Sequence, residues 1–276
     1  MVRDDDRPFR RDRGILFLAA GLLLSGAALA QADTASGDTG DAVIPPAKEA
    51  VPAAAGERSD VPTPRSVEEP WMSLAEWRRR HAAQRHAEGR AQAEVVFLGD
   101  SITEGWGQSA AFHERFGHYH PLNLGIGGDQ TQHVLWRIED GTLDGLTPRL
   151  LVLLIGVNNL GNGQQSPEQT ARGVAAILRA VRARRPHTPV LLLAILPAGQ
   201  RSDDPLRQEI ALTNPLLEKL AEPGSVSVLD VGASFLEKDG TISADVMQDF
   251  LHPNASGYAT LTEAVAPAVE RLLTQR

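Results

Sequence analysis

Apolar residues cluster into five short runs in the latter part of the chain, at 95–98, 122–126, 150–155, 190–196 and 226–231. They are dominated by Val, Leu and Ile and lack the strict alternation of a half-solvated strand. All five therefore suit strands covered on both faces of a parallel sheet. Longer amphipathic segments separate them. Ser166-Pro167-Glu168-Gln169 carries a strong helix start. Ser caps, Pro takes the first position and Gln completes a capping box, so a helix is expected to 184, ahead of Pro186. A second helix is expected over 206–222, kinked or broken at Pro215, and a third over 256–273, where Pro267 raises the same concern. Strands alternating with helices imply an α/β fold, a doubly wound three-layer α/β/α sandwich with right-handed crossovers. Ligands bind such sheets outside the carboxyl ends of the strands.

The N-terminal part lacks this patterning. Arg7, Arg10, Arg11 and Arg13 precede an apolar run from Gly14 to Ala30, with small residues at Ala28 and Ala30. Residues 1–30 thus read as a signal peptide, and the protein as exported to a periplasm or the medium. An uncleaved membrane anchor is the alternative, although the run falls short of the ~20 residues of a spanning helix. Residues 31–66 are rich in Ala, Pro, Gly and Asp and bury too little to offset their ordering entropy, so a disordered linker is expected there. The folded domain is then 67–276. No internal repeat is present.

Composition narrows the function by exclusion. With 276 residues, 42% of them hydrophobic, the chain can build one sizeable core. A formal charge of −8 gives no electrostatic footprint for nucleic acid or an anionic membrane, so no nucleic-acid partner is expected. The absence of cysteine excludes disulfides, thiolate metal sites and a lipoprotein attachment site.

Candidate chemistry lies at the run ends. Gly99-Asp100-Ser101 follows the first run, and Asp249-Phe250-Leu251-His252 lies close to the C-terminus. A serine hydroxyl is a poor nucleophile until an imidazole takes its proton, and the imidazole needs an acceptor on its other nitrogen. A carboxylate three residues before a histidine can sit beside that ring on one short loop. Each motif alone also suits a blander role, a strand-ending turn or a solvated pair. Two further segments add what acyl transfer requires. Asn123-Leu124-Gly125-Ile126-Gly127-Gly128-Asp129 exposes backbone N–H groups, and Gly156-Val157-Asn158-Asn159 offers a side-chain amide after the third run. The glycine loop has neither full G-x-G-x-x-G spacing nor a P-loop ending, which argues against a nucleotide site. An α/β-hydrolase elbow would need glycine where Thr103 stands.

Gly99-Asp100-Ser101, Gly128, Asn158 and Asp249-x-x-His252 resemble, in order, the four blocks of the SGNH (GDSL-type) hydrolase superfamily. Within it the chain is most similar to the catalytic subunits of platelet-activating-factor acetylhydrolase. The stretches Trp71-Met72-Ser73-Leu74, His133-Val134-Leu135-Trp136-Arg137 and Pro205-Leu206-Arg207 add to that likeness, which runs from about Trp71 to the C-terminus. The resemblance implies a flavodoxin-like SGNH hydrolase fold. It makes Ser101 the nucleophile, His252 the general base and then acid, and Asp249 the group that orients His252. The Ser101 and Gly128 N–H groups and the Asn158 side chain would form the oxyanion hole. It also implies no cofactor and no metal. The related subunits dimerise, which leaves a homodimer open. Ile102 and Pro253-Asn254 depart from the family pattern without touching a catalytic group.

The activity so expected is a cofactor-free serine esterase acting on carboxylic esters with short acyl groups, acetyl above all, on a small-molecule or polysaccharide-linked substrate. An acyltransferase using the same triad and a non-catalytic carbohydrate- or cell-wall-binding module are the alternatives. The other residues receive plainer readings. His118 and His120 could share a strand face but lack a third metal ligand. His81, His86, Arg79 and Arg80 are expected on solvated helix surface, Trp71 and Trp136 in packing, and Asn159 away from the chemistry. For export, N-terminal sequencing of the secreted or periplasmic protein should give a start at or near Gln31. Full-length chain beginning at Met1 in washed membranes would favour the anchor.

Overall fold

The computed structural model describes residues 58–162 and 165–275. Five strands, β1 (Val95–Gly99), β2 (Leu122–Gly125), β3 (Leu150–Leu154), β4 (Val190–Leu193) and β5 (Val226–Leu229), form one all-parallel sheet. Their order is β2-β1-β3-β4-β5. Every residue of β1, β3 and β4 is buried, as unbroken apolar runs require, whereas in the edge strand β5 only Val226 is. Several ladders stop short of the apolar run. Ile155 and Ala194 to Leu196 lie beyond the last strand residues yet are buried in the core. Hydrophobicity reports burial, and burial continues past the last paired residue.

Among the described residues there are eight α-helices. They are α1 (Leu74–Arg85), α2 (Ser101–Trp106), α3 (Ala110–Phe116), α4 (Thr131–Glu139), α5 (Val157–Gly161), α6 (Pro167–Arg184), α7 (Pro205–Glu218) and α8 (Ala255–Thr274). α3 packs with α8 on one side of the sheet, and α4, α6 and α7 pack in succession on the other. The capping box opens α6 as expected, Ser166 Oγ accepting from the Gln169 N–H and Gln169 Oε1 from the Ser166 N–H. The expected break at Pro215 does not occur, nor does one at Pro267: α7 and α8 run through both. The reason lies in the faces involved. Pro215 and Ala211 are both exposed, as are Pro267 and Glu263, so the carbonyl that each proline leaves without a donor meets water.

The expected linker is corrected at its end. Residues 58–66 pack on the domain. Ser59 Oγ donates to the Gln169 carbonyl at 2.5 Å, and the Ser59 carbonyl accepts from Thr131 Oγ1 at 2.9 Å. The Thr63 N–H donates to the Gln132 carbonyl at 3.1 Å, and Arg65 is buried. Polar bonds hold this segment, which is why its low hydrophobicity pointed the other way. The expected signal peptide at 1–30 and the expected linker up to 57 lie outside the described residues. No described helix is long and apolar enough to cross a membrane.

Candidate active site

β1 lies between β2 and β3, so the loops leaving those three strands are neighbours where the strand order reverses. Each carries one expected residue. Ser101 opens α2 directly after β1, and Asp100 caps that helix by accepting from the Ile102 N–H at 3.0 Å. Gly128 follows β2 at φ +73°, a left-handed conformation that glycine adopts freely. Asn158 is the second residue of α5, after β3. It was expected at a strand end and stands four residues past β3, in the first turn of α5.

His252 reaches these loops from the turn before α8. The Asp249 carboxylate curls over that turn. Its Oδ1 accepts from the Leu251 N–H at 3.1 Å and the His252 N–H at 2.7 Å, and its Oδ2 accepts from His252 Nδ1 at 2.7 Å. With Nδ1 holding the proton, His252 Nε2 accepts from the Ser101 hydroxyl at 3.0 Å. Phe250 sits at φ +58°, an uncommon conformation for a bulky residue, and the turn it makes lets one carboxylate serve both N–H groups and the ring. Burial alone would push the Asp249 carboxyl up. The hydrogen bonds from His252 and Leu251 outweigh it and hold the group below the usual carboxylate range.

Ser101, His252, Asn158, Gly127 and Gly128 line one cleft of about 430 Å³, whose other walls include Trp71, Met72, Arg80, Glu104 and Leu251. Another cleft of about 430 Å³ lies at the opposite strand ends, beside Pro148, Arg185 and Leu272, away from these residues. The Asn158 amide gives one N–H to the Asp129 carbonyl at 3.0 Å. Its other N–H donates to no protein group among the described residues.

The GDSL-like lipase/acylhydrolase family model matches residues 97–260. The chain is 40% identical over 185 residues to platelet-activating factor acetylhydrolase IB subunit alpha1 of Bos taurus, covering 67% of this chain and 78% of that one. It is 37% identical to subunit alpha2 of Homo sapiens, covering 67% and 79%. Among solved structures, a GDSL-like lipase from Bacteroides thetaiotaomicron shares the fold at a TM-score of 0.57 and 21% identity, over 71% of this chain and 97% of that one. The chain belongs to the GDSL-like lipase/acylhydrolase family. Its fold and its class, a hydrolase, follow with that membership.

Beneath the cleft of this GDSL-like hydrolase lies a buried polar layer that sequence reasoning missed. Asp129 and Arg137 meet at 2.8 Å, both side chains without solvent exposure. Trp77 Nε1 donates to Asp129 Oδ1 at 2.7 Å. Burial pushes the Asp129 carboxyl up, opposed by Arg137 and the Trp77 N–H. His133 accepts from the Gln130 N–H, and burial with the nearby Arg65 and Arg137 cations drives it down to about 3, so it stays neutral. Nearer the cleft, Glu104 accepts from the Gly127 N–H at 2.8 Å and from Arg80 at 2.5 Å. Glu104 follows Ser101 by three residues on a helix, a spacing that shares a face and gave the one available signal.

Four plainer readings change. Trp71 is 54% exposed and forms a cleft wall instead of packing. His81 is buried rather than solvated, stacked on Trp77 and bonded to Asp140 at 2.8 Å. His118 lies in a short 3₁₀ turn, Gly117–Tyr119, and His120 caps its end, so they share no strand. Arg80 lines the cleft. Asn159 is buried and joins Thr131, Gln132 and Gln165, which makes it a structural tie. No group of three or more His, Asp or Glu among the described residues is arranged to hold a metal ion.

Asp100 supplies a pH signature. Burial pushes its carboxyl up to about 7, despite the bond from the Ile102 N–H. The unfolded value is roughly 3.9. Between the two, the folded state holds a proton that the unfolded state has lost, so stability falls as pH rises from about 4 to 7. Asp100→Asn keeps the capping oxygen and removes the titration. The urea midpoint of the wild type should drop more between pH 5 and pH 8 than that of the variant. An equal or smaller drop refutes the assignment.

Proposed function

We propose that this chain is a serine esterase that hydrolyses carboxylic esters of short acyl groups, acetyl first, through an acyl-enzyme and with no cofactor. The observation that carries this reading is the unbroken relay from the Ser101 hydroxyl to His252 Nε2 and from Nδ1 to Asp249. Ser101 Oγ attacks the acyl carbonyl while its proton passes to His252. The carbonyl oxygen becomes an oxyanion facing the Ser101 and Gly128 N–H groups and the Asn158 amide. His252 returns the proton to the departing alkoxide, and water, activated by the same imidazole, then releases the acid. Asp249 stays ionised throughout and holds the imidazole in the tautomer that this sequence needs.

The preference for acetyl rests on the relatives, which are named as acetylhydrolases. For the natural ester we favour an extracytoplasmic small-molecule or polysaccharide-linked acetyl group, in keeping with the export expected from residues 1–30. Acyl transfer to an alcohol would use the same acyl-enzyme, and product analysis separates it from hydrolysis. A binding module has no use for an aligned nucleophile, base and carboxylate.

Ser101→Ala should remove turnover of p-nitrophenyl acetate, a loss of roughly a million-fold in kcat, while circular dichroism and melting stay unchanged. Turnover within tenfold of wild type would sink the mechanism. Asn158→Ala should lower kcat by roughly 10²–10³ with KM within a few-fold, because the oxyanion bond matures only in the transition state. It also removes the bond to the Asp129 carbonyl, so a small drop in melting temperature accompanies it. A drop in melting alone, with turnover per folded molecule intact, would make Asn158 purely structural.

A further inference from the structure

The oxyanion reading depends on where the Gly128 N–H points, and nothing within Gly127 or Gly128 fixes it. Glycines occupy both ends of the 127–128 peptide, so side chains resist its rotation at neither end, and Gly128 already stands at φ +73°. Rotation of that peptide would turn the N–H out of the cleft. The turn bond from the Asp129 N–H to the Ile126 carbonyl at 3.2 Å closes the loop around that peptide but is compatible with either orientation of its plane, so a grip from outside the loop decides between them.

Arg65 is placed to do so. Its Nη2 donates to the Gly127 carbonyl at 2.8 Å. The Gly127 C=O and the Gly128 N–H belong to one planar trans peptide and point in opposite directions. A guanidinium that grips the carbonyl from the buried side therefore aims the N–H toward the cleft. It also polarises the peptide, which strengthens the N–H as a donor. Within the described residues the Gly128 N–H donates no hydrogen bond of its own. The preceding peptide is held from the other side, by Glu104 accepting from the Gly127 N–H.

Arg65 is itself positioned by its surroundings. It is 5% exposed, its guanidinium lies 5.4 Å from the Trp71 ring centroid, and its chain segment is tied to α4 and α6 through Ser59 and Thr63. The loop has closed around it. A Cβ added to Gly128 would come within 2.3 Å of the Trp71 ring and 2.5 Å of Arg65 Nη2.

We propose that residues 58–66 are a strap that delivers Arg65 as a positioning residue for the oxyanion donor of the 127–128 peptide. Arg65 touches no reacting atom and acts through the peptide it holds. This inference rests on the esterase reading above.

The test uses the full chain with Arg65→Met, which keeps length and packing on Trp71 but offers no donor, and Arg65→Lys, which keeps a cation able to reach the carbonyl. Three quantities are measured: kcat and KM for p-nitrophenyl acetate, melting temperature, and Ki for a methyl trifluoromethyl ketone. In that inhibitor Ser101 Oγ bonds to the ketone carbon, its proton passes to His252, and the carbonyl oxygen becomes an oxyanion in the hole. Arg65→Met should lower kcat about tenfold or more, less than loss of a whole oxyanion donor, with KM within about threefold. Ki should rise by the same factor, and Arg65→Lys should recover most of both. A role confined to folding would lower melting and leave kcat per folded molecule and Ki unchanged, which overturns the proposal. If Arg65→Met does not fold, Arg65→Gln, too short to reach the carbonyl, is judged by the same criteria. Failure of both to fold counts against the proposal. If Ser101→Ala retains turnover, the esterase reading itself is wrong. If Ser101→Ala is inactive and Ki is unmoved in the Arg65 variants, only the strap's role falls.

Discussion

Asp129 and Arg137 meet 2.8 Å apart under the glycine loop, with neither side chain open to solvent. Taking a carboxylate and a guanidinium out of water costs several kcal/mol per ion, and their attraction offsets it only when the remaining polar atoms find partners. Those partners define the site. Arg137 donates to the Leu124 carbonyl at 3.0 Å, the Gly99 carbonyl at 3.3 Å and Gln84 Oε1 at 3.0 Å, while Asp129 accepts from Trp77. One ion pair thus joins the end of β1, the end of β2, helix α1 and the loop entering α4. The Asp129 carbonyl extends the tie to Asn158 after β3. All three loops that line the cleft are registered against this pair. Breaking it from one side would leave an uncompensated buried charge, a penalty of roughly 3–5 kcal/mol.

How much of this was legible in the sequence follows from which interactions are local. Strands β1, β3 and β4 were legible because both sheet faces are covered there, so their runs are continuous, and the edge strands β2 and β5 kept enough apolar residues to be read with them. The Asp249–His252 contact spans three residues, and Ser101, Gly128 and Asn158 follow strands that the pattern had already placed. Arg65, Trp71 and His81 were illegible for the converse reason. A buried arginine in a proline-rich stretch looks like linker until the Gly127 carbonyl, 62 positions away, is seen to accept from it. His81 reads as surface on an arginine-rich helix until Asp140 and Trp77 enclose it. The prolines of α7 and α8 mislead in another way, because their cost depends on which helix face they occupy, and both lie on the exposed one.

The site divides by solvent. The His252 and Asp249 side chains are 42% and 56% exposed, open enough for water and small molecules to come and go. The groups beneath the cleft are closed: Asp129, Arg137, Arg65 and His133 are all buried. Rigid donors in a dry layer need no reorganisation when charge develops, whereas solvent dipoles would. The division suits a reaction that exchanges small molecules at its face and stabilises charge from below.

The charges of that lower layer are paired. Arg137 meets Asp129, Arg80 is shared between Glu104 and Glu76, and Arg65 has Asp129 and Glu69 as its carboxylate neighbours. His133 adds nothing, because burial and the two neighbouring guanidiniums keep it neutral. Paired ions of fixed geometry hold the glycine loop in place by contact, not by net charge, and their pairing is what makes their burial tolerable.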